Sequence, residues 1–165
     1  MAVDFKSLGK FEQGALVAGV LALILSFIPS YYTVSYDTGS ISVSDGTNAW
    51  TSYATLGVLL LIAATAIIAV KAFARENLPA GVPWSLIAAV AAGVGTILVI
   101  LRAIFDDAPD MDDLSAGPGW SGYLLFLAGI ALTVFAALSA KESGESFSQV
   151  NKGGNHTPPA APPAV

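Results

Sequence analysis

The sequence predicts an all-α membrane protein: a four-transmembrane-helix, up-down-up-down bundle with a small outer β-hairpin and a disordered C-terminal tail. Three observations carry that expectation. Of the 165 residues, 55% are hydrophobic and only 12% are charged, whereas a soluble domain runs near a quarter charged. Four apolar stretches reach the roughly 20 residues that one bilayer crossing needs. Lys and Arg gather in alternate connections between those stretches, as they do when one side of the membrane is cytoplasmic.

The first span is expected at about residues 11–32, with its continuous apolar core at 15–28. Lys6 and Lys10 precede it as they would a signal peptide, but the run is long and no A-x-A site follows, so it reads as a retained helix. Pro29, Tyr31 and Tyr32 mark its exit. The second span is expected at 51–73, the third at 84–102 and the fourth at 120–140. Together residues 1–140 form the membrane domain. Residues 141–165 are rich in Ser, Gly, Asn and Pro and hold too little apolar material for a core, so they form a disordered, Pro-rich cytoplasmic tail.

The basic residues orient the bundle. Lys6 and Lys10 precede the first span, Lys71 and Arg75 fall between the second and third, and Lys141 and Lys152 follow the fourth. These ends are cytoplasmic, which places both termini inside a multi-pass protein of the cell membrane. Arg102 alone lies near the outer boundary, where it snorkels and pairs with Asp106 or Asp107, or contacts a headgroup. Seven aspartates fall on the outer side: Asp37, Asp45, Asp106, Asp107, Asp110, Asp112 and Asp113.

Small residues at four-residue spacing let membrane helices approach closely. Gly14, Ala18 and Gly19 offer such a surface on the first helix, Ala89 and Gly93 on the third, and Gly129 and Thr133 on the fourth. They serve packing within the bundle, or one stripe joins the protein to a partner or to itself.

The first outer loop alternates like a strand. Tyr32, Val34 and Tyr36 interleave with Thr33 and Ser35; Asp37, Thr38, Gly39 and Ser40 read as a turn; Ile41 and Val43 interleave with Ser42 and Ser44; Asp45 and Gly46 read as a second turn. A hairpin follows from this pattern. The tyrosines are hairpin residues or interface anchors. The second outer loop, residues 105–119, reads as a solvated acidic loop, because its aspartates lack the glycine and terminal Glu of a calcium-binding loop. The candidate outer interaction surface is Tyr32, Tyr36 and Trp50 with Asp106, Asp107, Asp110, Asp112 and Asp113.

The span cores carry no ionisable residue, no catalytic motif is present, there is no cysteine, and the one histidine, His156, lies in the tail. No catalytic residue, cofactor or metal site is expected, and the net charge of −5 argues against a nucleic-acid partner.

Phe11 and Glu12, the run Phe27, Ile28, Pro29, Ser30 and Tyr31, the run Asn48, Ala49 and Trp50, and the Pro/Ala-rich tail make the chain resemble the small, uncharacterised four-span integral membrane proteins common in actinobacteria. Ile28 and Ser30 stand where that family's Phe-Leu-Pro-Trp-like exit has other residues. The resemblance implies a membrane location and four spans, and no functional residues. The outer hairpin is also similar in architecture to claudin-like proteins, without their paired cysteines.

The functional expectation is a non-enzymatic integral membrane protein, an accessory or scaffold subunit of a cell-envelope membrane complex. Its partners would be the lipid bilayer and other membrane proteins or itself. The alternative is a small oligomeric channel or permease whose outer aspartates concentrate cations at an acidic mouth. A membrane enzyme would need a polar cluster at one depth, and the sequence offers none.

Overall fold

The computed structural model describes residues 5–37, 39, 41–79, 81–105 and 114–145. Among them are four helices and one small sheet, in the order α1 (Lys10–Ser26), β1 (Tyr32–Asp37), β2 (Ser42–Thr47), α2 (Ala54–Phe73), α3 (Trp84–Ile104), β3 (Leu114–Pro118) and α4 (Trp120–Glu142). Three helices are long and apolar enough to cross a membrane: α2, α3 and α4. The helix α1 has 17 residues, about 25 Å at the usual rise.

The first helix is therefore shorter than the apolar run that announced it. The pyrrolidine of Pro29 disfavours helix at Ile28 and removes an N–H. The last turn closes instead with Phe27 and Ile28 donating to the Ile24 and Leu25 carbonyls, both at 3.2 Å. Ser26 Oγ bonds back to the Leu23 carbonyl at 2.7 Å and accepts the Trp50 indole N–H at 3.2 Å. Residues 27–31 are not helix.

Helix α1 packs on α2 and α4, and α3 packs on the same two. The core they enclose is built of small residues: Ala15, Ala22, Ala54, Ala64, Ala88, Ala92 and Ala136 are fully buried, with Val58, Leu61, Val99, Leu125 and Leu132 filling between. The larger aliphatic side chains turn outward; Val17, Ile24, Leu56, Ile97, Leu127 and Val134 are all exposed. An apolar exterior around a small-residue core is the reverse of a soluble bundle and suits a lipid surround. The helices α2 and α3 approach closely where Gly57 and Gly95 face each other. A Cβ on either one would stand 2.7 Å from the carbonyl oxygen of the other.

The sheet has the order β2-β1-β3, antiparallel throughout. Directly opposed residues share a face. Tyr32, Val34 and Tyr36 thus lie with Val43, Asp45, Thr47, Leu114 and Ala116, and Thr33, Ser35 and Asp37 lie with Ser42, Ser44 and Ser115. The alternating sequence of the first outer loop does fold as a hairpin. Two expectations need correction. Asp45 and Gly46 are not a turn but part of β2, opposite Val34 and Thr33. The second outer loop is not loop throughout: its last residues form β3, paired to β1 from Tyr32↔Pro118 to Tyr36↔Leu114.

Candidate functional site

The most concentrated polar chemistry lies at the end of the bundle away from the sheet. Lys71, read from sequence as a loop cation, belongs to the last turn of α2 and is only 7% exposed. Its Nζ donates to Ser85 Oγ on α3, to Ser143 Oγ at 3.3 Å and to Glu145 Oε1 at 3.0 Å. Glu12 Oε1 of α1 stands 3.8 Å away. The cluster therefore draws on all four helices or their immediate ends.

Glu145 reaches this place because of how α4 stops. Gly144 adopts φ +65°, a left-handed conformation glycine takes without steric cost. Glu145 N–H then returns to the Ala140 carbonyl at 3.1 Å and Gly144 N–H to the Lys141 carbonyl at 3.2 Å. This paired closure satisfies the last helical carbonyls and turns the chain back over the bundle. The carboxylate so placed caps another helix. Pro83, ahead of α3, supplies no side-chain cap; Glu145 Oε2 accepts instead from the Ser85 N–H at 2.7 Å and the Leu86 N–H at 3.3 Å. An anion at a helix N-terminus is favoured by both the free N–H groups and the helix dipole. Burial acts to raise the Glu145 carboxyl, but the hydrogen bond and charge of Lys71, with the Ser85 and Leu86 N–H groups, outweigh it and hold the carboxyl below its ordinary value.

A Ser–Lys pair is the arrangement an activated serine nucleophile would need. Here Ser85 gives its hydroxyl proton to Glu145 Oε1 at 3.1 Å and is 1% exposed. The donors are directed at protein acceptors and the hydroxyl is closed to a substrate. A polar cleft of about 280 Å³ adjoins the cluster, lined by Lys71, Arg75, Pro79, Trp84 and Glu145 among others.

The sheet end is tied differently. Tyr31, with Tyr32 an expected exit marker or interface anchor, is a core residue at 1% exposure. Its N–H donates to the Thr47 carbonyl at 2.9 Å and its carbonyl accepts from Gly119 N–H at 3.0 Å. Its hydroxyl donates to the Val99 carbonyl at 2.5 Å, and its ring meets Phe126 edge-on at 6.4 Å. One residue thus joins β2, α3 and the start of α4. Tyr32 is also buried, so neither tyrosine is a surface anchor. Trp50 is half-buried and stacks on Phe27 at 5.2 Å.

Of the candidate outer surface, Tyr36 is exposed on β1 while Tyr32 and Trp50 are turned into the structure. Asp106, Asp107, Asp110, Asp112 and Asp113 lie outside the described residues, as do residues 146–165 of the tail. Arg102 is half-buried in the last turn of α3. The packing residues fall at helix contacts. Gly14 faces the Phe135 ring, Gly19 faces Thr65, Gly129 faces Thr96, and Gly93 has Thr133 nearby; Ala18 and Ala89 are buried. The sequence reading passed over Gly57, Lys71, Ser85, Ser143 and Glu145 as site residues. Two signals for them were available: a lysine inside the last turn of an apolar span, and Ser-Gly-Glu directly after the last one.

Three helices of membrane-crossing length and an apolar exterior fit a helical membrane protein with a small terminal sheet. Comparison with known proteins finds no matching family model, no matching curated protein and no matching solved structure.

Proposed function

We propose that the chain is a non-enzymatic integral membrane protein of the cell membrane, an accessory or scaffold subunit of a cell-envelope complex. All four helices cross the bilayer up-down-up-down, with both termini cytoplasmic and the sheet outside. The kinship is with small four-span membrane proteins of the actinobacterial type. One observation carries the docking role. On the sheet face that begins with buried Tyr32 at the bundle, Tyr36 and Val43 oppose each other at the far end with 44% and 58% exposure, with Asp45 beside them on the same face, and β2 is an edge strand. The hydrogen bonds of Tyr31 mount that face firmly on the helices. An exposed apolar patch beside an open strand edge is a feature of interaction surfaces.

The test is purification of the tagged full chain in mild detergent, with co-purifying proteins identified and weighed. The expected result is a stoichiometric foreign subunit that is lost in Tyr36→Ser/Val43→Ser while thermal stability stays unchanged. A partner-free homo-oligomer that conducts ions in liposomes would overturn the reading. Because the chain has no cysteine, Ser35→Cys and Asn77→Cys report topology directly: impermeant label should reach the first from outside and not the second.

A further inference from the structure

We infer that a groove between α1 and α4 holds one acyl chain of an anionic phospholipid, with the headgroup phosphate at Lys10. The inference rests on the membrane-spanning reading above. The groove has a volume of about 670 Å³ and is open along its outer side; Gly14, Ala18, Leu21, Leu127, Ala128 and Ala131 line it. Its end away from the sheet is stopped by the turn Phe5–Ser7, which Gln13 holds in place by donating to the Phe5 and Leu8 carbonyls at 3.2 and 3.0 Å. Phe5 and Lys10 line that end. Lys10 is exposed and has no carboxylate within salt-bridge distance among the described residues.

Dimensions and charge together point to the occupant. From Lys10 to Leu25 the α1 wall runs about 22 Å at 1.5 Å per residue, so a groove of 670 Å³ has a mean section of about 30 Å². A helix with its side chains needs about 80 Å². A polymethylene chain fits within that section, whereas a further transmembrane helix would rest across the open side and leave the groove beneath it unfilled. The charge is also matched: an anionic headgroup meets a lysine at the polar end of an otherwise apolar groove, at the level where the cytoplasmic leaflet carries its anionic lipids.

The full chain is reconstituted in nanodiscs of equal phosphatidylglycerol and phosphatidylcholine, ejected, and weighed by native mass spectrometry. The expected species is a monomer retaining one phospholipid, with phosphatidylglycerol preferred about fivefold, the effect of one basic residue near a membrane surface. Ala131→Leu, which fills the groove, removes the adduct. Lys10→Gln keeps an adduct and equalises the two lipids. Absence of retained lipid, adducts unchanged in both variants, or a dimer mass that Ala131→Leu abolishes would each overturn the inference, the last by placing a second copy in the groove. Alkaline carbonate extraction of reconstituted vesicles separates the two levels. A protein released by carbonate refutes the membrane-spanning reading, whereas one that stays embedded yet retains no lipid refutes the lipid site alone.

Discussion

Replacing Glu145 by glutamine removes the charge and the acceptor that face Lys71 while keeping an acceptor for the start of α3. The amide keeps an oxygen for the Ser85 N–H but removes the charge 3.0 Å from Lys71 Nζ, leaving Glu12 at 3.8 Å. Removing one partner of a buried pair costs about 3–5 kcal/mol. The lower figure, about 3 kcal/mol, applies here, because Glu12 remains and the Glu145 side chain is itself 13% exposed. In a Lys71→Met background no buried ammonium is left to strand, and Glu145→Gln weakens only the α3 cap, at about 1 kcal/mol. The difference is a coupling of about 2 kcal/mol, within the range for residues sharing one network. Equilibrium unfolding of the detergent-solubilised protein in SDS, followed by circular dichroism, measures all four corners of the cycle. A loss below about 0.5 kcal/mol for Glu145→Gln, or an equal loss in both backgrounds, would refute the claim that Glu145 serves Lys71. The pH dependence adds a check. The Glu145 carboxyl is held lower in the folded protein than its ordinary value. Its stabilisation is therefore complete above the unfolded-chain value of about 4.3 and is lost as pH falls through the lower folded value. The wild type should show this acid loss, and Glu145→Gln should lack it.

Gly95→Ala should destabilise by about 1–3 kcal/mol, the cost of overpacking, because its Cβ would stand 2.7 Å from the Gly57 carbonyl. Gly93→Ala, whose nearest neighbour is the Thr133 methyl at 3.5 Å, should be neutral or stabilising by up to about 1 kcal/mol through helix propensity; the same unfolding assay compares them. Tyr31→Phe should cost about 1 kcal/mol for the lost hydrogen bond to Val99 and speed amide exchange in β1 more than in the centre of α2.

Three of the helices were legible because a run of twenty apolar residues suits only helix if it is to lie in lipid, and α2, α3 and α4 match their runs closely. The hairpin was legible because β1 and the start of β2 alternate. What escaped reading depends on distant partners. Leu-Ser-Ala-Gly-Pro at 114–118 has no strand alternation of its own; it becomes β3 because the start of α4 at Trp120 brings it beside the free edge of β1. The end of α1 was overrun because Phe27 and Ile28 are as apolar as the helix, and the stop at Pro29 acts several residues upstream. Glu145 was assigned to the tail on composition. Its place depends on one left-handed glycine and on a helix N-terminus sixty residues earlier in the chain.

The two ends of the bundle reinforce by hydrogen bonds what its middle sets by packing. Between helices in lipid there is no hydrophobic driving force, so packing and hydrogen bonds must set the arrangement. In the middle, small residues meet, and the threonines there do not bond across. Thr65, Thr96 and Thr133 return their hydroxyls to Leu61, Ala92 and Gly129 of their own helices, at 2.8, 2.7 and 2.8 Å. Such surfaces allow close approach, and pairs such as Gly57 on Gly95, Gly19 on Thr65 and Gly129 on Thr96 fit one register. A slip of one turn, about 5.4 Å, would break those pairs. It would also carry the Val99 carbonyl away from Tyr31 and Ser85 away from Lys71 and Glu145. The buried ion pair and the buried tyrosine therefore add a register mark at each end. This explains why a chain that spends so few charged residues places a lysine and two glutamates at one bundle end.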